Sequence, residues 1–198
     1  MAVQTINTDI AAEVNITARR NDTFTFKFSV ANPANPSQGY PLNIGQTSTS
    51  SGEPRFQAKM SIVDASTGDV KLSIYSSFFQ DTAGNVIHQD NGTGSTIKKT
   101  TRPTATTPGE YSGEQVLANT TIKTGGGIDF SGNTSAADSL ATISVPYDYM
   151  VFEPGEYLYD LQIREQGTSG TNAAALLTIK YTTWMFGKFT LNPDITTA

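Results

Sequence analysis

The one histidine, His88, stands in Gly84-Asn-Val-Ile-His-Gln-Asp90 with Asp81 and Asp90 close by, the residue types of a base held by a carboxylate. A hydrolase triad also needs a nucleophile presented on a strained turn, and no Gly-x-Ser-x-Gly supplies one. His88 therefore reads as a strand-edge or loop histidine. The carboxylates Glu110/Glu114, Glu153/Glu156 and Asp160 are the material of a glycosidase, which needs two carboxyl groups converging on one bond. Glu153 and Glu156 flank a turn and Asp160 alternates with tyrosines, so all three point outward. The runs Asp81-Thr-Ala-Gly-Asn85 and Asp90-Asn-Gly-Thr-Gly94 cluster oxygen ligands but lack the closing Glu of a calcium loop. Gly125-Gly-Gly127 lacks the Lys-Ser/Thr and helix that cradle phosphate. There is no cysteine. The expectation is no catalytic residue, no metal and no cofactor.

Aromatic side chains are the remaining chemistry. Phe24, Phe26, Phe28, Tyr157, Tyr159 and Phe189 recur at core parity, so packing is their role. Tyr147, Tyr149 and Phe152 lie in Pro146-Tyr-Asp-Tyr-Met-Val-Phe152, beside a turn, and Tyr40 lies in a polar stretch. These four are the candidate partner-contact residues, because exposed aromatics anchor subunit interfaces or stack on sugar rings.

The elements that must position them are strands. Residues 23–30 alternate Phe24, Phe26, Phe28 and Val30 with Thr25, Lys27 and Ser29. Residues 54–63 and 69–78 repeat the pattern, and Asp64-Ala-Ser-Thr-Gly68 between them predicts a hairpin. Ala141, Ile143 and Val145 form a shorter run before Pro146. Glu153-Pro-Gly-Glu156 predicts a type II turn, feeding a strand with Tyr157, Tyr159, Leu161 and Ile163 inward. Strands follow over 174–183 and 184–191, with a β-bulge expected at Gly187 so that Trp184/Phe186 and Phe189/Leu191 all face the core. Residues 32–53 read as a long crossing loop. Residues 80–138 read as an insertion holding short strands near Val86, Ile97, Val116 and Ile122.

Composition agrees. In 198 residues, 37% are hydrophobic and 16% charged, with Thr, Ser, Asn and Gly abundant. That is too apolar for a disordered chain and too poor in helix formers for a bundle. A net charge of −5 argues against nucleic acid. No window is long and apolar enough to span a membrane, and no signal sequence opens the chain. Asn-x-Thr/Ser triplets such as Asn15-Ile-Thr17 read as composition. The organisation expected is an N-terminal arm over 1–13 and one domain over 14–198 with the 80–138 insertion.

In order, Ile16-Thr-Ala-Arg-Arg-Asn-Asp-Thr-Phe-Thr-Phe26, the hairpin Ala58-Lys-Met-Ser-Ile-Val63 … Val70-Lys-Leu-Ser-Ile74, Gly155-Glu-Tyr-Leu-Tyr-Asp-Leu-Gln162 and Gly187-Lys-Phe-Thr-Leu-Asn-Pro-Asp-Ile-Thr196 carry a resemblance. They are similar to the immunoglobulin-like N-terminal domains of tailed-bacteriophage baseplate upper proteins and fibre-attachment proteins. The resemblance covers residues 14–75 and 153–197. It implies an all-β fold, an immunoglobulin-like antiparallel β-sandwich with long loop insertions. Gly155-x-Tyr157 fits the tyrosine corner of such domains, with Tyr159 where antibody domains carry their second cysteine. The implied function is that of a non-enzymatic structural protein of a virion: capsid decoration, head fibre, or tail or baseplate adaptor. Family members continue into a fibre, whereas this sequence stops soon after Asp194. The implied partners are other virion proteins (capsid, portal or neck, tail) and further copies of itself, as a trimer. It would be made in the host bacterial cytoplasm and end in the virion. The alternative function is a carbohydrate-binding module for host-surface or mucosal glycans. Deleting 1–13 is expected to leave the domain folded and abolish incorporation.

Overall fold

The structure, a computed structural model, describes residues 4–7, 11–32, 35–39, 54–80, 86–89, 115–118, 126–130, 140–166 and 179–195. The described residues are all-β, with a single 3-10 turn at Tyr147–Tyr149. The strands are β1 (Gln4–Asn7), β2 (Ala12–Glu13), β3 (Ile16–Arg19), β4 (Phe24–Asn32), β5 (Asn35–Gly39), β6 (Phe56–Val63) and β7 (Val70–Tyr75). They continue as β8 (Phe78–Gln80), β9 (Val86–Gln89), β10 (Gln115–Ala118), β11 (Gly127–Asp129), β12 (Leu140–Val145), β13 (Gly155–Gln166) and β14 (Ile179–Asn192).

Two sheets carry the structure. The first runs β1-β4-β12-β11, with β5 also on β4. The second runs β10-β7-β6-β13-β14-β2, with β3 also on β14. The period-two pattern explains why they share a core. On the core face of β4 and β12, Phe24, Phe26 and Phe28 stand opposite Val145, Ile143 and Ala141, and Phe28, Val30, Ala141, Ile143 and Val145 are buried, while Thr25 and Ser144 meet on the other face at 3.3 Å. In β6, β7 and β13, Met60, Ile62, Leu72, Ile74, Leu161 and Ile163 are buried and belong to the same cluster. Phe189 ties the layers: its ring meets Phe24 edge-on at 5.7 Å and Phe152 at 6.3 Å.

The β6–β7 hairpin forms as expected. Asp64 Oδ1 accepts from the Ser66 N–H at 2.9 Å and its hydroxyl at 2.6 Å, and Gly68 takes φ 78°, which a residue without Cβ adopts at little cost. These two Ser66 bonds hold the partly exposed Asp64 carboxyl below its ordinary 3.8.

Several expectations are corrected. The sheets are not purely antiparallel: β1 runs parallel to β4, β10 to β7, and β2 and β3 to β14. Residues 1–13, expected as an arm, contribute β1 to one sheet and β2 to the other. Within the expected loop 32–53, β5 pairs with β4. Gly155 has no positive φ; it opens β13 opposite Leu191, so no type II turn forms there. The bulge lies at Trp184, not Gly187: Leu161 pairs with Met185 and Gln162 with Thr183, which leaves Trp184 as the extra residue. Trp184 and Met185 are thereby both buried, and Phe186 turns outward. Gln57, on the face away from the core, is buried as well. Its Oε1 accepts from the Gln80 N–H at 2.8 Å, because the chain after β7 folds back over that end of the sheet. Of the short strands expected in the insertion, those near Val86 and Val116 form as β9 and β10, while Ile97 and Ile122 lie outside the described residues.

Candidate interaction surface

Three segments meet at one end of the molecule. Asn21, at φ 61°, donates its N–H to the Met150 carbonyl at 2.8 Å and its side-chain amide to Asp194 Oδ2 at 3.3 Å. The Arg20 guanidinium donates twice to the Val151 carbonyl, at 3.2 and 3.0 Å. The β3–β4 corner thus clamps the 146–152 loop and the C-terminal segment together, which fixes the loop that carries the candidate aromatics.

Of the three described candidate aromatics, Tyr147 is the one that faces solvent, at 60% exposure. Tyr149 packs partly buried against the core. Phe152 is corrected from contact residue to core residue. It is 4% exposed, with its ring edge-on to Tyr157 at 5.1 Å, so no partner reaches it. A loop position did not keep it outside, because the clamped loop folds its apolar side chains back between the sheets. Tyr40 lies outside the described residues. Ile195, beside Asp194 at the same end, is exposed.

Two tyrosines lock the structure behind this end. The Tyr157 hydroxyl donates to the Glu153 carbonyl at 2.5 Å, four residues upstream. The buried Tyr159 hydroxyl donates to the Val14 carbonyl at 2.6 Å. That second bond depends on Gly187, paired with Tyr159 at φ 154°, where a Cβ would collide with the Val14 carbonyl oxygen. Asn15 Oδ1 completes the crossing by accepting from the Lys188 N–H at 3.0 Å. Burial raises both phenols above the ordinary 10.0, and the carboxylates of Asp64 and Glu153 add to the effect at Tyr157.

Among the described residues, those with candidate catalytic chemistry are not brought together. Glu156 is exposed and its carboxylate pairs with Lys188 Nζ at 3.2 Å. Asp160 Oδ2 accepts from Gln162 Nε2 at 2.8 Å on the solvent face. His88 sits on β9 opposite Phe79. The pair Glu110/Glu114 and the loops 81–85 and 90–94 lie outside the described residues. Among the described residues no group of His, Asp and Glu is placed to hold a metal.

Sequence reasoning missed a second surface. On the solvent face of β13 and β14, Leu158 is 49% exposed, Phe186 43% and Tyr181 36%. Leu158 carried a signal, since it alternates with Asp160 and Gln162 in an otherwise polar row. Phe186 and Tyr181 did not, because the Trp184 bulge reverses the parity between them.

No family model matches this sequence, no curated protein matches it, and no solved structure matches its fold.

Proposed function

We propose that this chain is an immunoglobulin-like building block of a tailed-phage virion, assembled by protein–protein contacts and without catalytic activity. The observation that carries the reading is where the resembling segments fall. Residues 14–75 and 153–197 supply β3, β4, β6, β7, β13 and β14, which hold most of the shared core. Three details favour an immunoglobulin-like sandwich: the Tyr157–Glu153 corner bond, the β7-β6-β13-β14 order, and a first-strand segment running parallel to the last strand. The long loop insertion over 80–138 belongs to the same reading.

Such a domain acts as a rigid spacer and socket. Its end face, with Tyr147 on the clamped loop and Ile195 on the C-terminal segment beside it, is preorganised for a partner: capsid, portal or neck, or tail protein. Closed rings of this chain, as a trimer, would repeat that contact with local symmetry. The chain would be made in the host bacterial cytoplasm and end in the virion, bound to neither nucleic acid nor membrane. The test is Tyr147→Asp combined with Ile195→Asp, followed by mass spectrometry of purified particles. The expected outcome is a folded protein lost from the particle. Normal incorporation of the double variant would refute the end face as the contact.

A further inference from the structure

We infer that the solvent face of β13 and β14 is a binding strip for a neutral polysaccharide, separate from the assembly contact proposed above. Two aromatic rings bound it. Phe186 and Tyr181 stand opposite Asp160 and Arg164 of β13, which are four residues apart. The rings are therefore about 13 Å apart along the strands, the reach of a short oligosaccharide.

Tyr181 is held in place: Arg164 Nε donates to its hydroxyl at 3.1 Å from the adjacent strand. The ring therefore leans across the sheet and does not swing free. The Arg164 that anchors it is buried, so the platform is fixed before any ligand arrives.

Between the rings lies the hydrogen-bonding row a sugar needs. Asp160 and Gln162 face solvent side by side, joined by the Gln162 Nε2 to Asp160 Oδ2 bond. That bond fixes both planar groups. Asp160 Oδ1 and the Gln162 carbonyl oxygen remain to accept from hydroxyls, and the second amide hydrogen to donate. Thr183, opposite Gln162, adds a hydroxyl. Apolar sugar faces stack on aromatic rings while their hydroxyls take such planar partners.

Charge and area select this occupant. Lys188 is paired with Glu156 at one end, and Asp160 is balanced on the same face by Lys59, opposite Gln162 on β6, and by Arg164, so the strip carries no excess of one sign and suits an uncharged sugar. The exposed apolar surface of Phe186, Tyr181, Leu158 and Ile179 comes to roughly 300 Å², from about 200 Å² per large side chain. A stable protein interface takes about 800 Å² from each partner, of which roughly 450 Å² is non-polar. The strip is too small and too polar in its middle to be a subunit contact.

Affinity electrophoresis of the full chain tests this, with dextran, mannan, galactomannan and mixed-linkage β-glucan as neutral probes and alginate as the acidic one. Retardation by at least one neutral probe, and no stronger retardation by alginate, is expected. Phe186→Ala and Tyr181→Ala should each weaken it about tenfold, and Phe186→Trp should keep it. Both alanine sites are solvent-facing, and an unchanged far-ultraviolet spectrum will confirm folding. No retardation by any neutral probe overturns the inference, as does retardation that both alanine variants retain. A strip that holds subunits together would show as dissociation of an oligomer in Phe186→Ala, which also overturns it. These variants should enter particles normally, so loss of glycan binding and loss of assembly are read separately.

Discussion

At the scale of single residues, a few hydrogen bonds decide how the N-terminal segment joins the last strand. The Tyr159 hydroxyl reaches over the neighbouring Gly187 to the Val14 carbonyl, and Gly187 leaves the room for that carbonyl to arrive. Tyr159→Phe removes the donor and leaves a buried acceptor unmet, which should cost about 1–3 kcal/mol in denaturant unfolding. Gly187→Ala adds a backbone collision to a positive φ, and should cost about 2 kcal/mol or more by the same measurement. The pH dependence follows from the raised phenols. Tyr157 and Tyr159 stay protonated more tightly in the fold than in the unfolded chain, so their contribution is complete below pH 10.0 and is lost as pH rises through the raised values. Thermal unfolding monitored between pH 9 and pH 12 should show the melting temperature falling across that window, less steeply in Tyr159→Phe. Asp64 acts with the opposite sign: its turn is intact above 3.8 and weakens as pH falls through the lowered value. Tyr159 was legible as a core residue because strict alternation marked it. Its partner was not, since nothing local in Val14-Asn15 announces a bond to a residue so far along the chain.

At the scale of elements, the β6–β7 hairpin and β12 could be read from sequence, because period two and a Gly-containing turn are local signals. The inward residues of β13 were legible for the same reason. The bulge in β14 was misplaced because Trp184, Met185 and Phe186 are three apolar residues in a row. Parity alone does not say which is extra. Pairing settles it: Trp184 is skipped and Phe186 goes outward. The same blindness hid the β13–β14 strip and put Phe152 at the surface, since its burial depends on Tyr157 and Phe189 from other strands. The parallel edges were likewise invisible, because a short strand does not encode which distant strand it joins. They change one expectation. Deleting residues 1–13 removes β1 and β2 from both sheets, so the truncated chain should melt at a lower temperature than the full chain by circular dichroism. An unchanged melting temperature would mean these edge pairings add nothing to stability. The bulge has its own reporter in the single tryptophan, 3% exposed with its ring centroid 6.2 Å from that of Phe56. Its fluorescence should be blue-shifted in the folded protein and move red on unfolding.

At the scale of the whole molecule, two layers of strands bury one core and leave two surfaces of different character. The end face, around Tyr147, is a clamped loop with an exposed ring, suited to a partner of fixed shape. The β13–β14 face is flat, polar in its middle and bounded by two rings, suited to a chain of sugars. A virion protein with both would be held in the particle by one and face the medium with the other. The Gly155-to-Gln162 motif and residues 187–192 of the second motif lie on the two longest described strands. The resembling segments hold much of the core, while Ile128, Phe130, Ala141, Ile143, Val145, Met150 and Phe152 complete it from outside them. The proposed virion role is tested most directly by electron cryomicroscopy of purified particles of a phage whose genome encodes this chain. The account predicts density for the β-fold in repeated, symmetry-related copies, seated through the end that carries Tyr147 and with the β13–β14 face toward solvent. Particles complete and infectious with no such density, and none of the chain in their protein, would contradict it.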